Sequence, residues 1–366
     1  MQPLPGYRLR APPLANGCAI HSIGAFLWVN QDELMIQRRQ RAWAALLIIV
    51  VSGWANAGPQ LDSSQLRQAG PHAVSVVDPV VVHDAAQNRD VSLRVIYPIS
   101  TGPFPLIVFS HGAFCYPQLY AEITDHWASH GYVVILPNHL DSPNNKKLSP
   151  GALQSLMSSR VRDMSFALDA LDQIEAEISD IRGKTDRAHI AVAGHSFGGM
   201  IAMIKSGLIL EHSEDGMQVD YSDDRFGVAV VLSGVGPAAM PDGTVLTESA
   251  FSRLTGPLFA SGGTKDEGNI GTGETFPWQW RMSGFTLAPP GDKYYLVLEG
   301  ADHYLGGLIC RKNRGSDADP EAVEIVRMAN TAFLNAYLKD AEASQRFLRN
   351  TDFTALTSGR AQLNYK

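Results

Sequence analysis

The sequence predicts an α/β fold in which a mostly parallel, doubly wound sheet of about eight strands carries helices on both faces. Three observations lead to this fold. Short β-branched runs recur from residue 72 onward, helical patterns lie between them, and several of the runs are apolar on both faces. Strands of that kind are typical of central parallel strands covered by helices. In such sheets the active site lies beyond the carboxyl ends of the strands.

The predicted strands are, in chain order, AVSVVDPVVVHD, VSLRVIYP, PLIVFSH, YVVILPNH, AHIAVAG, GVAVVLSG, PLFASGG and YYLVLEG. Between them, apolar residues recur at helical spacing, as at Leu119, Ile123 and Trp127. A last helix is expected after Asp319, which is placed to cap it, with Pro320 in its first turn. The predicted strands and helices therefore alternate along the chain, as a doubly wound sheet requires.

The composition sets the broad class of protein. The chain has 366 residues, of which 45% are hydrophobic, so it can bury a large core. Its formal net charge is -7 and it has no long basic run, which argues against nucleic acid as a partner. No internal repeat and no Walker-type phosphate loop occurs in the sequence.

The amino-terminal segment has the order of a secretory signal peptide. In residues 35–57 a basic stretch precedes about a dozen apolar residues, and Ala55-Asn56-Ala57 follows as an A-x-A cleavage site. The apolar run is shorter than the roughly 20 residues that span a membrane, although a retained anchor remains the alternative. We expect residues 1–34 to be an upstream extension, Met35 to be the true start, and residues 58–366 to form a single domain. The mature protein would then be periplasmic or secreted, with no stable membrane span.

The stretch AVAGHSFGGM places Ser196 between an apolar strand and an apolar helix. Gly194 and Gly198 flank the serine at positions where a side chain would clash in a tight turn. Such a turn exposes the serine oxygen above a parallel sheet, so Ser196 is the candidate nucleophile. The five-residue pattern is too common to identify an active site alone, and the rest of the chain has to support it.

A serine nucleophile needs a base, and the base needs an orienting acid. Both follow Ser196 in the order Ser, Asp, His that this kind of sheet uses. His303, in the loop after YYLVLEG, is the predicted base. Asp266, after PLFASGG, is the predicted acid, with Glu267 and Asp302 as competitors. Asp302 is disfavoured because a residue adjacent to the base usually points away from it.

The oxyanion of a tetrahedral intermediate needs two backbone N–H donors. One is expected from Phe197, directly after the nucleophile. The other is expected from the HGAF loop that follows PLIVFS, where the N–H of either Ala113 or Phe114 would face the oxyanion. Gly112 suits this loop because the backbone must approach the substrate closely.

The segment FPLIVFSHGAFCYPQLYAEITDHWASHGYVVILPNH, together with GHSFGG, resembles α/β-hydrolases of the dienelactone-hydrolase-like branch. This branch lies near platelet-activating-factor acetylhydrolases, chlorophyllases and cutinase-like polyester hydrolases. The resemblance covers about residues 75 to 340. It implies an α/β-hydrolase fold and a Ser–His–Asp esterase without metal or organic cofactor, with Ser196 as nucleophile and His303 as base. Dienelactone hydrolases proper use cysteine, and the acetylhydrolases take their acid from the strand that here ends in Ser233.

Aromatic residues near the predicted site are candidates for substrate binding. Tyr116 follows the oxyanion loop, and Trp278 and Trp280 lie in the Gly- and aromatic-rich segment 269–285 after the acid. Tyr116 would wall the acyl pocket and the tryptophans would form a platform. The alternative for each is packing within its own loop.

The sequence therefore predicts a serine carboxylic-ester hydrolase that works through an acyl-enzyme on small or medium esters, either small molecules or polymers. A peptidase or amidase of the same fold is the first alternative, and a catalytically silent binding protein is the second. Cys115 and Cys310 lie in the two loops that must converge on Ser196. They are predicted either to form a disulfide, as export would favour, or to remain separate buried thiols.

Overall fold

A computed structural model describes residues 61–145, 155–270, 273–312 and 316–366. Within these ranges the strands, in chain order, are β1 Val74–Asp84, β2 Arg89–Pro98, β3 Phe104–Ser110, β4 Val133–Pro137, β5 Thr185–His195, β6 Leu210–His212, β7 Gln218–Val219, β8 Val228–Leu232, β9 Ala238–Ala239, β10 Thr244–Leu246, β11 Leu258–Gly263, β12 Gly268–Asn269, β13 Thr275–Phe276, β14 Lys293–Leu298 and β15 Ala361–Tyr365.

The α-helices described in the same ranges are α1 Ser63–Arg67, α2 Ala121–Ser129, α3 Leu156–Asp169, α4 Leu171–Glu177, α5 Phe197–Lys205, α6 Ser283–Thr286, α7 Pro320–Leu338, α8 Glu342–Asn350 and α9 Phe353–Leu356. Asp319 caps α7 as expected, because its side chain accepts a hydrogen bond from the N–H of Ala322. Short 3-10 turns lie at Pro117–Tyr120, Ser179–Ile181, Glu248–Arg253 and Trp278–Met282.

Nine of these strands form the main sheet, in the order β1-β2-β4-β3-β5-β8-β11-β14-β15. The six strands from β4 to β14 are parallel to one another, and the strands outside them pair antiparallel. A separate sheet has the order β7-β6-β10-β9, and β12 pairs with β13. The carboxyl ends of β3, β5, β11 and β14 therefore meet at one edge of the main sheet.

Alternate residues of the central strands enter two different cores. Val108 and Val192 belong to a core that also contains residues of α3, α4 and α5. Phe109 and Ala193 belong to a second core, which is built with α2, α7 and α8. Helices thus cover both faces of the sheet, and the predicted α/β-hydrolase architecture is confirmed.

All eight predicted runs are strands of the main sheet, which is mostly parallel as predicted and has one further strand. The additional strand, β15, has the sequence AQLNY and is the outer neighbour of β14. It alternates polar and apolar residues because only one side is buried, and at the end of the chain such a short pattern does not stand out.

The predicted upstream extension and signal peptide lie outside the described residues, so they stay predictions, as does the single domain over 58–366. In the described part of the chain, no helix combines the length and the apolar character needed to cross a membrane.

Candidate active site

Ser196 lies at the turn between β5 and α5, in a backbone conformation with φ +57° and ψ -120°. A Cβ on Gly194 would lie 2.1 Å from the carbonyl oxygen of Gly198, and one on Gly198 would lie 2.0 Å from that of Ser110. Both positions therefore require glycine, and the predicted steric reason for the two glycines is confirmed. A strained backbone conformation of this kind costs roughly 1–3 kcal/mol, and such conformations cluster at active sites. The turn exposes the serine hydroxyl above the sheet edge.

Three side chains from three loops form a hydrogen-bonded chain at this edge. His303 Nε2 lies 2.9 Å from Ser196 Oγ, and His303 Nδ1 lies 2.8 Å from Asp266 Oδ1. Because a carboxylate only accepts hydrogen bonds, Nδ1 carries the proton, and Nε2 is free to accept the serine hydroxyl proton. The predicted nucleophile, base and acid thus lie together in the order that a Ser–His–Asp triad requires.

The carboxylate of Asp266 is fully buried and is shared between His303 and Arg281. Arg281 Nε donates to the same Oδ1 that His303 contacts, at 3.0 Å. Burial by itself raises the pKa of Asp266, but the charges and hydrogen bonds of His303 and Arg281 outweigh it and hold the pKa below its ordinary value. The guanidinium also donates to the carbonyl oxygens of Gly234 and Glu267, so one arginine connects the acid loop to the loop that follows β8.

The two competing carboxylates have other surroundings. Glu267 is exposed at the cavity, with no bond to His303 among the described contacts. Asp302 accepts hydrogen bonds from the backbone N–H groups of Tyr304 and Gly306 and also from Ser316, so it organises its own loop. The geometry leaves Asp266 as the carboxylate in contact with His303.

The oxyanion loop, residues 111–114, follows β3 and contains both candidate donors. A hydrogen bond made by one of them distinguishes the two. The N–H of Phe114 donates to Asp141 Oδ2 at 2.9 Å, and Phe114 has φ +56°. That bond directs the Phe114 amide to a buried carboxylate. The expectation that Phe114 could donate to the oxyanion is therefore wrong, and Ala113 is the remaining candidate in this loop. Across the described residues, the N–H groups of Ala113 and Phe197 have no hydrogen-bond partner, and both residues line the cavity. They stay the predicted oxyanion pair.

Arg160 lies on α3, and its fully buried side chain is hydrogen-bonded to the oxyanion loop. It forms a bidentate ion pair with Asp141, with the shortest N–O distance at 2.7 Å. It also donates to the carbonyl oxygens of His111 and Gly112 and stacks over the Phe197 ring at 4.6 Å. One arginine therefore fixes the loop, the acceptor of the Phe114 amide and the residue after the nucleophile.

A cavity of about 710 Å³ opens above Ser196 and His303. Its wall is largely apolar, and the side chains that give it this character are Leu156, Met157, Met200, Val235, Met240 and Ile270. Phe114, 53% exposed, lies at its edge with its ring available for contact. A cavity of this size and lining suits a small or medium apolar ligand.

The three aromatic residues proposed for substrate binding do not line this cavity. Trp280 is buried, stacks on Phe276 at 4.6 Å and donates from Nε1 to the carbonyl oxygen of Pro237. Trp278 begins the same 3-10 turn and Tyr116 precedes another, and both are half-buried. Packing, the alternative to substrate contact, is what the structure has for Trp280, and Tyr116 and Trp278 lie outside the wall of the cavity.

Cys115 and Cys310 form a disulfide, with their Cα atoms 5.3 Å apart. It joins the oxyanion loop to the loop that follows His303. Of the two predicted outcomes for these cysteines, the structure has the bridge.

Arg160 and Arg281 were not identified from the sequence. Each lies inside a helical segment, and its partners lie 14 to 50 positions away along the chain. Nothing in the local pattern distinguishes a buried, loop-holding arginine from an exposed one. A buried pairing of this kind is evident only from the fold.

Comparison with known proteins agrees with this architecture. The family model described as Chlorophyllase matches residues 63–247, half of the chain. Platelet-activating factor acetylhydrolase of Canis lupus familiaris is 27% identical over 291 residues, which cover 66% of this chain and 59% of that protein. Chlorophyllase-1 of Arabidopsis thaliana is 28% identical over 127 residues, 34% of this chain and 35% of that protein. The alignments thus span from about a third to under two thirds of these curated relatives. The chain belongs to the chlorophyllase family of α/β-hydrolases.

Proposed function

We propose that this protein is a serine carboxylic-ester hydrolase that works through an acyl-enzyme on small or medium esters. The hydrogen-bonded chain from Ser196 through His303 to Asp266, placed at the floor of an apolar cavity, is the observation that carries this proposal. The relatives support it, because platelet-activating factor acetylhydrolases and chlorophyllases are serine ester hydrolases.

Acylation begins when Ser196 Oγ attacks the ester carbonyl carbon and His303 Nε2 takes the hydroxyl proton. Asp266 stabilises the imidazolium that forms and keeps the ring in the required tautomer. The N–H groups of Ala113 and Phe197 donate to the tetrahedral oxyanion. When the intermediate collapses, the bond from carbon to the alcohol oxygen breaks, and His303 gives its proton to that oxygen.

Deacylation repeats these steps with water as the nucleophile. His303 takes a proton from water as the water oxygen attacks the acyl carbon. The bond from that carbon to Ser196 Oγ then breaks, and the proton returns to the serine. The carboxylic acid leaves, and the resting hydrogen-bond chain forms again.

The cavity supports uncharged, apolar esters as substrates. Its methionines, Met157, Met200 and Met240, have flexible side chains that adapt to different ligand shapes. Its charged side chains are of both signs, because Asp242 and Glu267 line it together with Arg281 and Arg311, so the apolar side chains decide the fit. Esters with short to medium alkyl chains fit this combination.

Hydrolysis of p-nitrophenyl esters of graded acyl length tests the proposal, with matched p-nitroanilides as the amide control. We expect turnover of the esters, a maximum at short or medium acyl length, and little turnover of the anilides. Preference for the anilides would indicate a peptidase or amidase. Ligand binding without turnover of either series would indicate a silent binding protein.

We also propose that the protein acts in the periplasm or outside the cell after cleavage following Ala57. The disulfide supports this location because such bonds persist in oxidising compartments. Mass measurement of exported protein tests it, with a mature chain beginning at Gly58 as the expected result. An exported chain that still carries residues 38–57 would indicate a membrane anchor instead.

A further inference from the structure

We propose that Tyr120 and His195 are positioning residues that fix the oxyanion loop and the base loop at a set distance from Ser196. This inference rests on the proposed function and names two residues that the triad does not include. Both side chains lie fully buried between the two loops. Neither touches the cavity, so they act through the backbone of other residues.

Three hydrogen bonds connect the loops through these two side chains. The N–H of Gly112, in the oxyanion loop, donates to Tyr120 Oη at 2.8 Å. Tyr120 Oη lies 2.9 Å from His195 Nδ1, and His195 Nε2 lies 2.9 Å from the carbonyl oxygen of His303. The backbone of the base is thereby bonded, through two side chains, to the residue before the predicted donor Ala113.

For a neutral His195 ring, only one arrangement of protons satisfies the three bonds. The carbonyl of His303 can only accept, so His195 Nε2 carries the proton and Nδ1 accepts from the tyrosine hydroxyl. The tyrosine oxygen then accepts from Gly112 while it donates to His195. Burial, together with the neighbouring His303, lowers the pKa of His195 well below its ordinary value and keeps the ring neutral. The bridge therefore keeps one direction while His303 gains and loses its proton.

Gly112 lies where this bridge meets the disulfide. A Cβ at Gly112 would lie 3.0 Å from Tyr120 Oη, 3.1 Å from His195 Nδ1 and 3.2 Å from Cys310 Sγ. The oxyanion loop is thus held against the base loop by a covalent link and by a polar bridge at nearly the same point. A loop held in this way keeps its donors aligned during the reaction, where misplacement of about 1 Å can cost on the order of 100-fold in rate.

Replacement of one hydroxyl tests the bridge. Tyr120→Phe removes the central oxygen and leaves the ring in place. The matched control is Tyr132→Phe, because Tyr132 is equally buried and donates to Asn335 Oδ1 at 2.7 Å, remote from both loops. Both variants should lose similar thermal stability. Only Tyr120→Phe should lower kcat, by about 10- to 100-fold, with KM changed by less than about threefold.

A second pair of variants separates the hydrogen bonds from the packing. His195→Gln keeps an amide that can donate to the His303 carbonyl and an oxygen that can accept from Tyr120, whereas His195→Leu keeps neither. We expect kcat to fall in the order wild type, His195→Gln, His195→Leu. This rescue would not occur if the histidine only filled space.

The outcomes separate this inference from the proposed function. Wild-type kcat in Tyr120→Phe, or equal losses in the two His195 variants, would overturn the positioning role while the esterase assignment stands. Wild-type protein without activity on any ester, and without labelling of Ser196 by a fluorophosphonate, would overturn the proposed function and this inference with it.

Discussion

The part of the protein that the structure describes contains two Ser–His–Asp hydrogen-bond chains with the same distances. In the first, Ser196, His303 and Asp266 are joined at 2.9 and 2.8 Å. In the second, Ser110 Oγ lies 2.9 Å from His139 Nε2, and His139 Nδ1 lies 2.8 Å from Asp163 Oδ2. The bond lengths alone cannot distinguish a reactive constellation from an inert one.

Access and charge distinguish the two chains. Ser110, His139 and Asp163 are all fully buried, whereas Ser196 and His303 line a cavity. Ser110 ends an ordinary strand, while Ser196 occupies the strained turn that projects its hydroxyl.

Arginines surround the buried chain. Arg160 donates to Ser110 Oγ at 3.3 Å, and Arg89 pairs with Asp163. Burial and these cations lower the pKa of His139 well below its ordinary value, which opposes the imidazolium that catalysis needs. The second chain therefore ties β3, the loop after β4 and α3 together, and has no place for a substrate.

The largest expected effect comes from removing each serine hydroxyl in turn. Ser196→Ala should lower kcat by about a millionfold, because members of a triad act as a unit. Ser110→Ala should keep kcat within about tenfold and lower the free energy of unfolding by about 1–3 kcal/mol, the cost of an unmet buried hydrogen bond. A fluorophosphonate probe followed by peptide mapping should label Ser196 only. Labelling that persists in Ser196→Ala would place the nucleophile elsewhere.

Substitution of the two aspartates should distinguish the two Ser–His–Asp chains in the same way, with a smaller effect on kcat. Asp266→Asn should lower kcat by about 10⁴-fold, because the imidazole loses the partner that sets its tautomer. Asp163→Asn leaves the half-buried charge of Arg89 less compensated and weakens a buried hydrogen bond to His139, so it should instead cost about 1–3 kcal/mol of unfolding free energy. Urea unfolding and steady-state kinetics measure both quantities.

Glu267→Gln is the matched control for the acid, since Glu267 is the next residue and is exposed. It should retain wild-type kcat. A near-normal kcat in Asp266→Asn together with a large loss in Glu267→Gln would identify Glu267 as the acid that orients His303.

The comparison also explains what the sequence could and could not predict. Strand runs and the turn at Ser196 depend on residues that are close in the chain, and the glycines there have a local steric reason. The order Ser, Asp, His then restricts the partners, although His303 lies 107 positions from Ser196. The bonds of Arg160, the Tyr120–His195 contact and the buried Ser110–His139–Asp163 bonds join positions 19 to 75 residues apart, with no order rule to identify them. Such pairs become evident only when strands are placed side by side.

A disulfide joins two loops beside the Ser196–His303–Asp266 chain. The described contacts of the buried Ser110–His139–Asp163 chain include no such covalent link. The disulfide joins positions 195 apart, and chain-entropy arguments for a closed loop of that length give about 5 kcal/mol. Reduction, or the Cys115→Ser and Cys310→Ser pair, should lower the free energy of unfolding by up to that amount in urea titrations. Thiol titration of the unfolded, unreduced mature chain should find neither cysteine free. Two free thiols would exclude the bridge.

The smallest expected effect is a change of unfolding free energy with pH. It arises from buried histidines that lie beside the two Ser–His–Asp chains. Burial lowers the pKa of His111, which packs on His139, to about 3, and lowers that of His195 well below its ordinary value. Between these folded values and the unfolded pKa near 6.5, the unfolded state binds more protons than the folded state. Stability is therefore full above about pH 6.5 and falls as the pH decreases, by about 1.4 kcal/mol per pH unit for each histidine.

Asp266 does not contribute in this range. Its folded pKa lies below its unfolded value near 3.8, so its stabilising contribution is present above that value and is lost only at lower pH. Urea unfolding of the wild type between pH 7.5 and pH 5.5, above the range in which carboxylates titrate, should therefore show a loss that comes mainly from the buried histidines. His111→Gln, which keeps a donor and an acceptor, should reduce the slope by about 1.4 kcal/mol per pH unit. Stability that stays constant over this range would mean that the buried rings take up protons in the folded state, and the argument that His195 keeps its bridge in one direction would then fail as well.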